Sequence, residues 1–156
     1  MRIEDLSRLT NNPVWASRIL RYFLSGAVSF EDGALKFELI YLALPLVSDE
    51  KVFRKLATSS TRSSFITVFK EVELKNCLAG IDDRIAAFVA ITHKALILLG
   101  SEITIGDSGV IRLSNVVHYN DASPDEKAYC KAAFNLGVVF AKADYKEIFL
   151  RIGVAA

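Results

Sequence analysis

The sequence predicts a mainly α-helical domain carrying one β-hairpin, in a winged-helix-like order. Three observations predict it. Apolar residues recur at helical spacing through most of the chain. Cap residues stand where those segments begin and end. One stretch, Glu102–Leu113, instead shows two short β-branched runs around Gly106-Asp107-Ser108-Gly109, the pattern of a hairpin turn.

Asn12-Pro13 opens the first helix, with Asn12 as the cap and Pro13 in the first turn. Trp15, Ile19, Tyr22 and Phe23 follow at helical spacing, and Gly26 is the expected C-terminal stop. Lys36–Leu56 is a second helical stretch, apolar nearly all round at first and therefore central. Pro45 lacks a backbone N–H and predicts a break. The expectation is two helices, Lys36–Leu44 and Asp49–Leu56. Thr58–Ser64 reads as a polar loop, Phe65–Leu78 as a shorter helix with a mixed face, and Gly80 as a break.

Asp82–Leu99 is the clearest helix, with Ile85, Phe88, Val89, Thr92, Leu96 and Leu99 along one side. Asp82 and Asp83 suit the positive end of its dipole, and Gly100 suits its stop. Ser123-Pro124-Asp125-Glu126 has capping-box spacing before the last long helix. Tyr129, Ala132, Ala133, Leu136 and Phe140 make that helix's buried stripe, and Asp144–Arg151 adds a short terminal helix ended by Gly153.

The 156 residues fit one domain, 1–156, large enough for a core without staples. Apolar residues make up 52% and mean hydropathy is +0.31, more than one small core should need, which predicts burial against another chain. A net charge of +1 gives no overall electrostatic footprint for nucleic acid. The first residues lack the apolar run of a signal peptide. The apolar stretches Leu35–Val47 and Ile85–Leu99 fall short of the ~20 residues of a membrane span, so no membrane partner and a cytoplasmic location are expected. Cys77 and Cys130 form no Cys-x-x-Cys, and Cys130 reads as a small buried hydrophobe in a reducing compartment.

Catalytic signatures are missing. There is no Gly-x-Ser-x-Gly, no phosphate-binding Gly-x-x-x-x-Gly-Lys and no Gly-x-Gly-x-x-Gly. Gly106-Asp107-Ser108-Gly109 reads as a turn, because no base is fixed near Ser108. His93 reads as a boundary residue of a helix and His118 as a solvated residue of a connector. Adjacent Asp82 and Asp83 point about 100° apart on a helix and do not converge on one atom. No catalytic, cofactor-binding or metal-ligating residue is assigned, and no enzyme activity is expected.

A winged-helix order raises DNA binding. The open face of the presumptive reading helix, however, carries Asp83, Arg84, Ala87 and Lys94 with no Asn or Gln, and the wing carries only Arg112. Arg62, Lys70 and Lys75, with Arg112, are the possible DNA contacts, used on DNA held by a partner. For a protein interface the candidates are Tyr145, Ile148, Phe149 and Arg151 of the terminal helix, and Phe53 with Arg54, since aromatics and Arg are enriched at interfaces. The apolar members would equally serve to close the domain's own core.

Taken in order, several segments resemble one family. They are Asn12-Pro13 opening a helix, Leu42-Ala43-Leu44-Pro45-Leu46, the apolar helix Ile85–Leu99 before a hairpin, and the C-terminal Leu136-Gly137-Val138-Val139-Phe140-Ala141-Lys142 with Ile148–Val154. The chain resembles the middle component of bacterial three-component ABC conflict systems, a group that includes the small subunit of Lamassu-type anti-phage defence. That resemblance implies a non-catalytic subunit without a cofactor, accompanying an SMC- or Rad50-like ABC ATPase and an effector such as a nuclease, and reaching DNA only through the complex. The alternative from a different class is a winged-helix DNA-binding regulator.

Overall fold

A computed structural model describes residues 11–30, 35–60, 62–70, 76, 78 and 80–152. Among them are seven α-helices and a three-stranded antiparallel sheet. Helix α1 (Pro13–Ser29) begins as its sequence dictates: Asn12 Oδ1 accepts the backbone N–H groups of Val14 and Trp15 at 3.1 and 3.2 Å. It does not stop at Gly26. It runs on to Ser29, because Gly26 serves packing here and not termination.

Strand β1 (Leu35–Lys36), unforeseen in the sequence, leads through a 3₁₀ turn (Phe37–Leu39) into α2 (Ile40–Ser48). The break expected at Pro45 is absent. Proline removes one ladder hydrogen bond, but α2 is buried from Leu42 to Val47 and continues to Ser48, whose hydroxyl donates to the Pro45 carbonyl at 2.8 Å. Tertiary burial overrides the local cost. The fresh start expected at Asp49 does form. Its Oδ1 caps α3 (Glu50–Thr58) through the N–H groups of Lys51 and Val52, and its Oδ2 accepts from Arg84 at 3.0 Å.

Helix α4 spans only Phe65–Val68, closed by a reciprocal Ser64–Thr67 capping box. The helix expected to reach Leu78 therefore ends early, and 71–75, 77 and 79 lie outside the described residues. Gly80, at φ 70°, precedes α5 (Ile81–Leu99), and Gly100, at φ 50°, ends it. The buried stripe of α5 is Ile81, Phe88, Ile91, Thr92, Ala95 and Leu99, rotated from the predicted one so that Ile85 and Leu96 sit at its margin. Counted through the following 3₁₀ turn to Glu102, this helix is long and apolar enough to cross a membrane by length and composition, a span that Ile85–Leu99 alone did not reach.

The hairpin falls where predicted, as β2 (Ile103–Ile105) and β3 (Val110–Leu113), with Ile105 opposite Ile111 and Ile103 opposite Leu113. Gly109 takes a left-handed φ of 77°, whereas Gly106 does not. Strand β1 adds to the other edge of β3, giving the order β1-β3-β2. Helix α5 leads directly into the β2–β3 hairpin, as anticipated, and a short strand returned from the α1–α2 connection completes the sheet, so the fold is mainly α with one hairpin.

Helix α6 (Lys127–Lys142) is the centre of the molecule and packs most extensively on α1. The predicted Ser123 capping box does not form. Ser123–Glu126 makes a turn, and the Glu126 carboxylate is drawn to Arg18 of α1, with both oxygens at 3.0 Å from one guanidinium nitrogen. Helix α7 (Tyr145–Ile152) closes the core with Ile148, Phe149 and Ile152, and Gly153 lies outside the described residues.

Asn135 is the one buried side-chain amide among the described residues. Its Nδ2 donates to the carbonyls of Leu56 (2.8 Å) and Ser59 (3.0 Å), so α6 caps the C-terminal end of α3. Asn135→Ala is expected to strand those carbonyls and cost about 1–3 kcal/mol. A urea midpoint equal to that of the parent would refute this role.

Candidate partner interface

The structure scatters the sequence's interface candidates. Ile148 and Phe149 are buried in the domain's own core, so the terminal helix cannot offer them to a partner without undocking. The outer side of α7 carries Lys146, Leu150, which is 81% exposed, and Arg151, which pairs with Glu147 one turn earlier at 2.9 Å. Tyr145 is half-buried, with Lys36 Nζ 5.2 Å from its ring centre. Phe53 is half-buried and stacks on Tyr129 of α6 at 4.7 Å, holding α3 to α6. Arg54 is exposed and pairs with Glu50 on the same helix.

The possible DNA contacts do not form one stripe. Arg62 lines a shallow groove with Phe30, His118, Phe134 and Lys142. Lys70 lines a different cleft, of about 240 Å³, floored by Phe65, Ile66, Phe69 and Leu78, with Arg151 on its rim. The structure thus brings together Lys70 and Arg151, assigned to separate roles in the sequence, beside Ile66, which is 54% exposed. Arg112 is exposed on β3 between buried Ile111 and Leu113. Lys75 lies outside the described residues.

Two apolar surfaces escaped sequence reasoning. One is the cleft beside α4. Its signal was the Phe65–Phe69 pair at helical spacing, which the structure uses as a tilted ring contact at 4.8 Å. The other is the outer face of α5, where Ile97 is 75% and Leu98 52% exposed. Both were hidden because these segments are apolar on more than one side.

Both histidines are engaged in structure. His93 Nε2 meets the Tyr41 hydroxyl at 2.9 Å, and His118 Nδ1 accepts the Asn120 backbone N–H at 3.2 Å. Among the described residues neither histidine bonds a carboxylate, and no group of three or more His, Cys, Asp or Glu side chains could hold a metal ion. Burial pushes the Cys130 thiol up to about 11, so it stays protonated and unreactive near neutrality.

Arg21 of α1 grips Glu102, just before β2, with guanidinium nitrogens at 2.8 and 2.5 Å, and Asn115 donates to the same carboxylate at 3.1 Å. These hydrogen bonds hold the Glu102 carboxyl at about 2, below its ordinary 4.5. The folded pKa is depressed, so the stabilisation is complete above about 4.5 and is lost as pH falls toward about 2. Glu102→Gln is expected to flatten the acid limb of stability across that window. Parallel acid limbs for parent and variant, measured by urea unfolding between pH 2 and 5, would refute the clamp.

A family model described as ABC-three component (ABC-3C) system Middle Component 3 matches residues 1–156. No curated protein and no solved structure is similar enough to the chain to match.

Proposed function

Because the chain belongs to the Middle Component 3 family of ABC-three component systems and works with the other components of such a system, we propose that it is a non-catalytic accessory subunit of a cytoplasmic anti-phage defence complex. In this reading it bridges an SMC- or Rad50-like ABC ATPase and an effector, a nuclease, and controls the effector's release. In this reading the Lamassu-type systems are a functional parallel.

The observation that carries the proposal is the family match along residues 1–156. Two physical features support it. The exposed large apolar residues Ile66, Ile97, Leu98 and Leu150 favour contact with other chains. Among the described residues no histidine hydrogen-bonds a Ser, Thr or Cys side chain, the pairing that covalent catalysis uses. DNA reaches the subunit through the complex, since the outer face of α5 sets alanines, isoleucine and the acid Asp83 beside its one lysine, Lys94, with no Asn, Gln or Arg to read bases.

The test is co-expression with an ABC ATPase and an effector of such a three-component system, followed by affinity capture of the ATPase. The effector should be retained only when this chain is present. An effector that stays bound without it would sink the bridging role. His93→Gln with His118→Gln should leave protection against phage intact, and loss of protection by the stably folded double variant would return catalysis to consideration. Tight binding of bare duplex DNA by the chain alone at physiological salt would favour the regulator reading instead.

A further inference from the structure

We propose that the outer face of α5 is a self-complementary surface on which a second copy of this chain docks, helix against helix and antiparallel. The proposal goes beyond the bridging role and does not rest on it.

At about 100° per residue, Asp83, Ala87, Ala90, Lys94 and Ile97 fall within an arc of about 80°. All five are off the core stripe: Asp83, Ala87, Ala90, Lys94 and Ile97 are exposed, while Phe88, Ile91, Thr92, Ala95 and Leu99 face inward. Apart from Ile81, Phe88, Ile91, Thr92, Ala95 and Leu99, the chain leaves this apolar helix exposed or half-exposed, an unusual state for a segment of this hydropathy. The face is small in its middle, at Ala87 and Ala90, so a second helix can approach closely. At its far end stand the large residues Ile97 and Leu98.

The charges identify the occupant. The face carries one acid near the start of the helix, Asp83, and one base eleven residues later, Lys94. Neither forms an ion pair among the described residues. A two-fold axis level with the middle of the face sets Asp83 opposite Lys94 of the second copy, and does so twice, while Ala87 meets Ala90. Ile97 then covers the exposed start of the other helix at Gly80, where nothing lies within 4 Å of a built Cβ. The antiparallel arrangement also sets each helix's positive end against the other's negative end. A parallel pair would place acid on acid and base on base.

The test is sedimentation equilibrium of the purified full chain, with circular dichroism to confirm folding. The parent should dimerise at micromolar concentration. Asp83→Lys and Lys94→Glu should each raise the dimer Kd about ten-fold or more, since each sets like charges together at both symmetry-related contacts. The double exchange Asp83→Lys with Lys94→Glu should restore the parental Kd, an outcome that general loss of stability cannot imitate. Three outcomes overturn the proposal: a parent that stays monomeric at high micromolar concentration, folded single variants with an unchanged Kd, or a double variant no better than the singles. A monomeric parent that floats with lipid vesicles would assign the face to a membrane surface, and one that loses the ATPase on charge reversal would assign it to that chain.

Discussion

Alanine at Gly137 is expected to remove a large share of the folding stability of this chain. Helices α1 and α6 cross so closely that a Cβ at Gly137 would lie 1.9 Å from the Phe23 carbonyl oxygen and 2.9 Å from the Ala27 backbone nitrogen. The contact is reciprocal: a Cβ at Gly26 would lie 2.0 Å from the Phe134 carbonyl oxygen. In both cases the obstacle is backbone in the middle of a buried helix, which no rotamer change can relieve. The helices must separate, and the layer between them, where Phe23 meets Phe140 edge-on at 5.9 Å, opens with them. Overpacking ordinarily costs about 1–3 kcal/mol. Here the cost should exceed about 3 kcal/mol, against a total of roughly 5–15 for an ordinary domain. Gly26→Ala should behave alike. Gly106→Ala, whose Cβ would meet nothing closer than 4.0 Å, is the control and should stay within about 1 kcal/mol of the parent. Urea unfolding monitored by far-UV circular dichroism measures all three. A Gly137→Ala variant as stable as the control would show that the helices are not held so close.

Those glycines show where the sequence stops being legible. Gly26 follows an apolar helical run and so reads as a helix stop, yet its φ is ordinary and its purpose is the approach of a helix more than a hundred residues away. Features written locally were readable: Asn12 as a cap, a helix start at Asp49, Gly80 and Gly100 at the ends of α5, and the β-branched runs of the hairpin. Features decided by distant partners were not. Leu35–Lys36 is a strand only because β3 lies beside it. Glu126 has capping-box spacing but faces Arg18, and the ion pair across helices displaces the local bond. Pro45 costs α2 a hydrogen bond that the surrounding core tolerates. The orientation of α5 was misjudged because the helix is apolar on nearly every side. Periodicity alone offered several stripes, and only packing against α1 and α2 selects Ile81, Phe88, Ala95 and Leu99. The same ambiguity kept its exposed face out of sight. Of the surface residues anticipated, Lys70 and Arg151 meet at one cleft and the others do not converge.

The terminal helix gives the sharpest division between core and surface, because neighbouring residues answer oppositely. Phe149 is 7% exposed and sits beside Ile148, which is fully buried, whereas Leu150 is 81% exposed. Consecutive helical residues point about 100° apart, so one faces the core and the next faces water. Phe149→Asp removes a buried ring, worth about 3–5 kcal/mol when truncated to alanine. It also asks a carboxylate to enter an apolar site without a partner, which raises the cost further or drives α7 off the domain. Undocking α7 would in turn expose Phe65 and Phe69, since the cleft they floor has Arg151 on its rim. The expected result is a loss of more than about 3 kcal/mol for Phe149→Asp and less than about 0.5 kcal/mol for Leu150→Asp. Both variants should then be captured on the ATPase. If α7 bears the interface through its outer side, Leu150→Asp will weaken capture while its unfolding midpoint is unchanged. Should Phe149→Asp instead prove as stable as the parent, α7 does not close the core, and Ile148 and Phe149 return as contact residues for a partner.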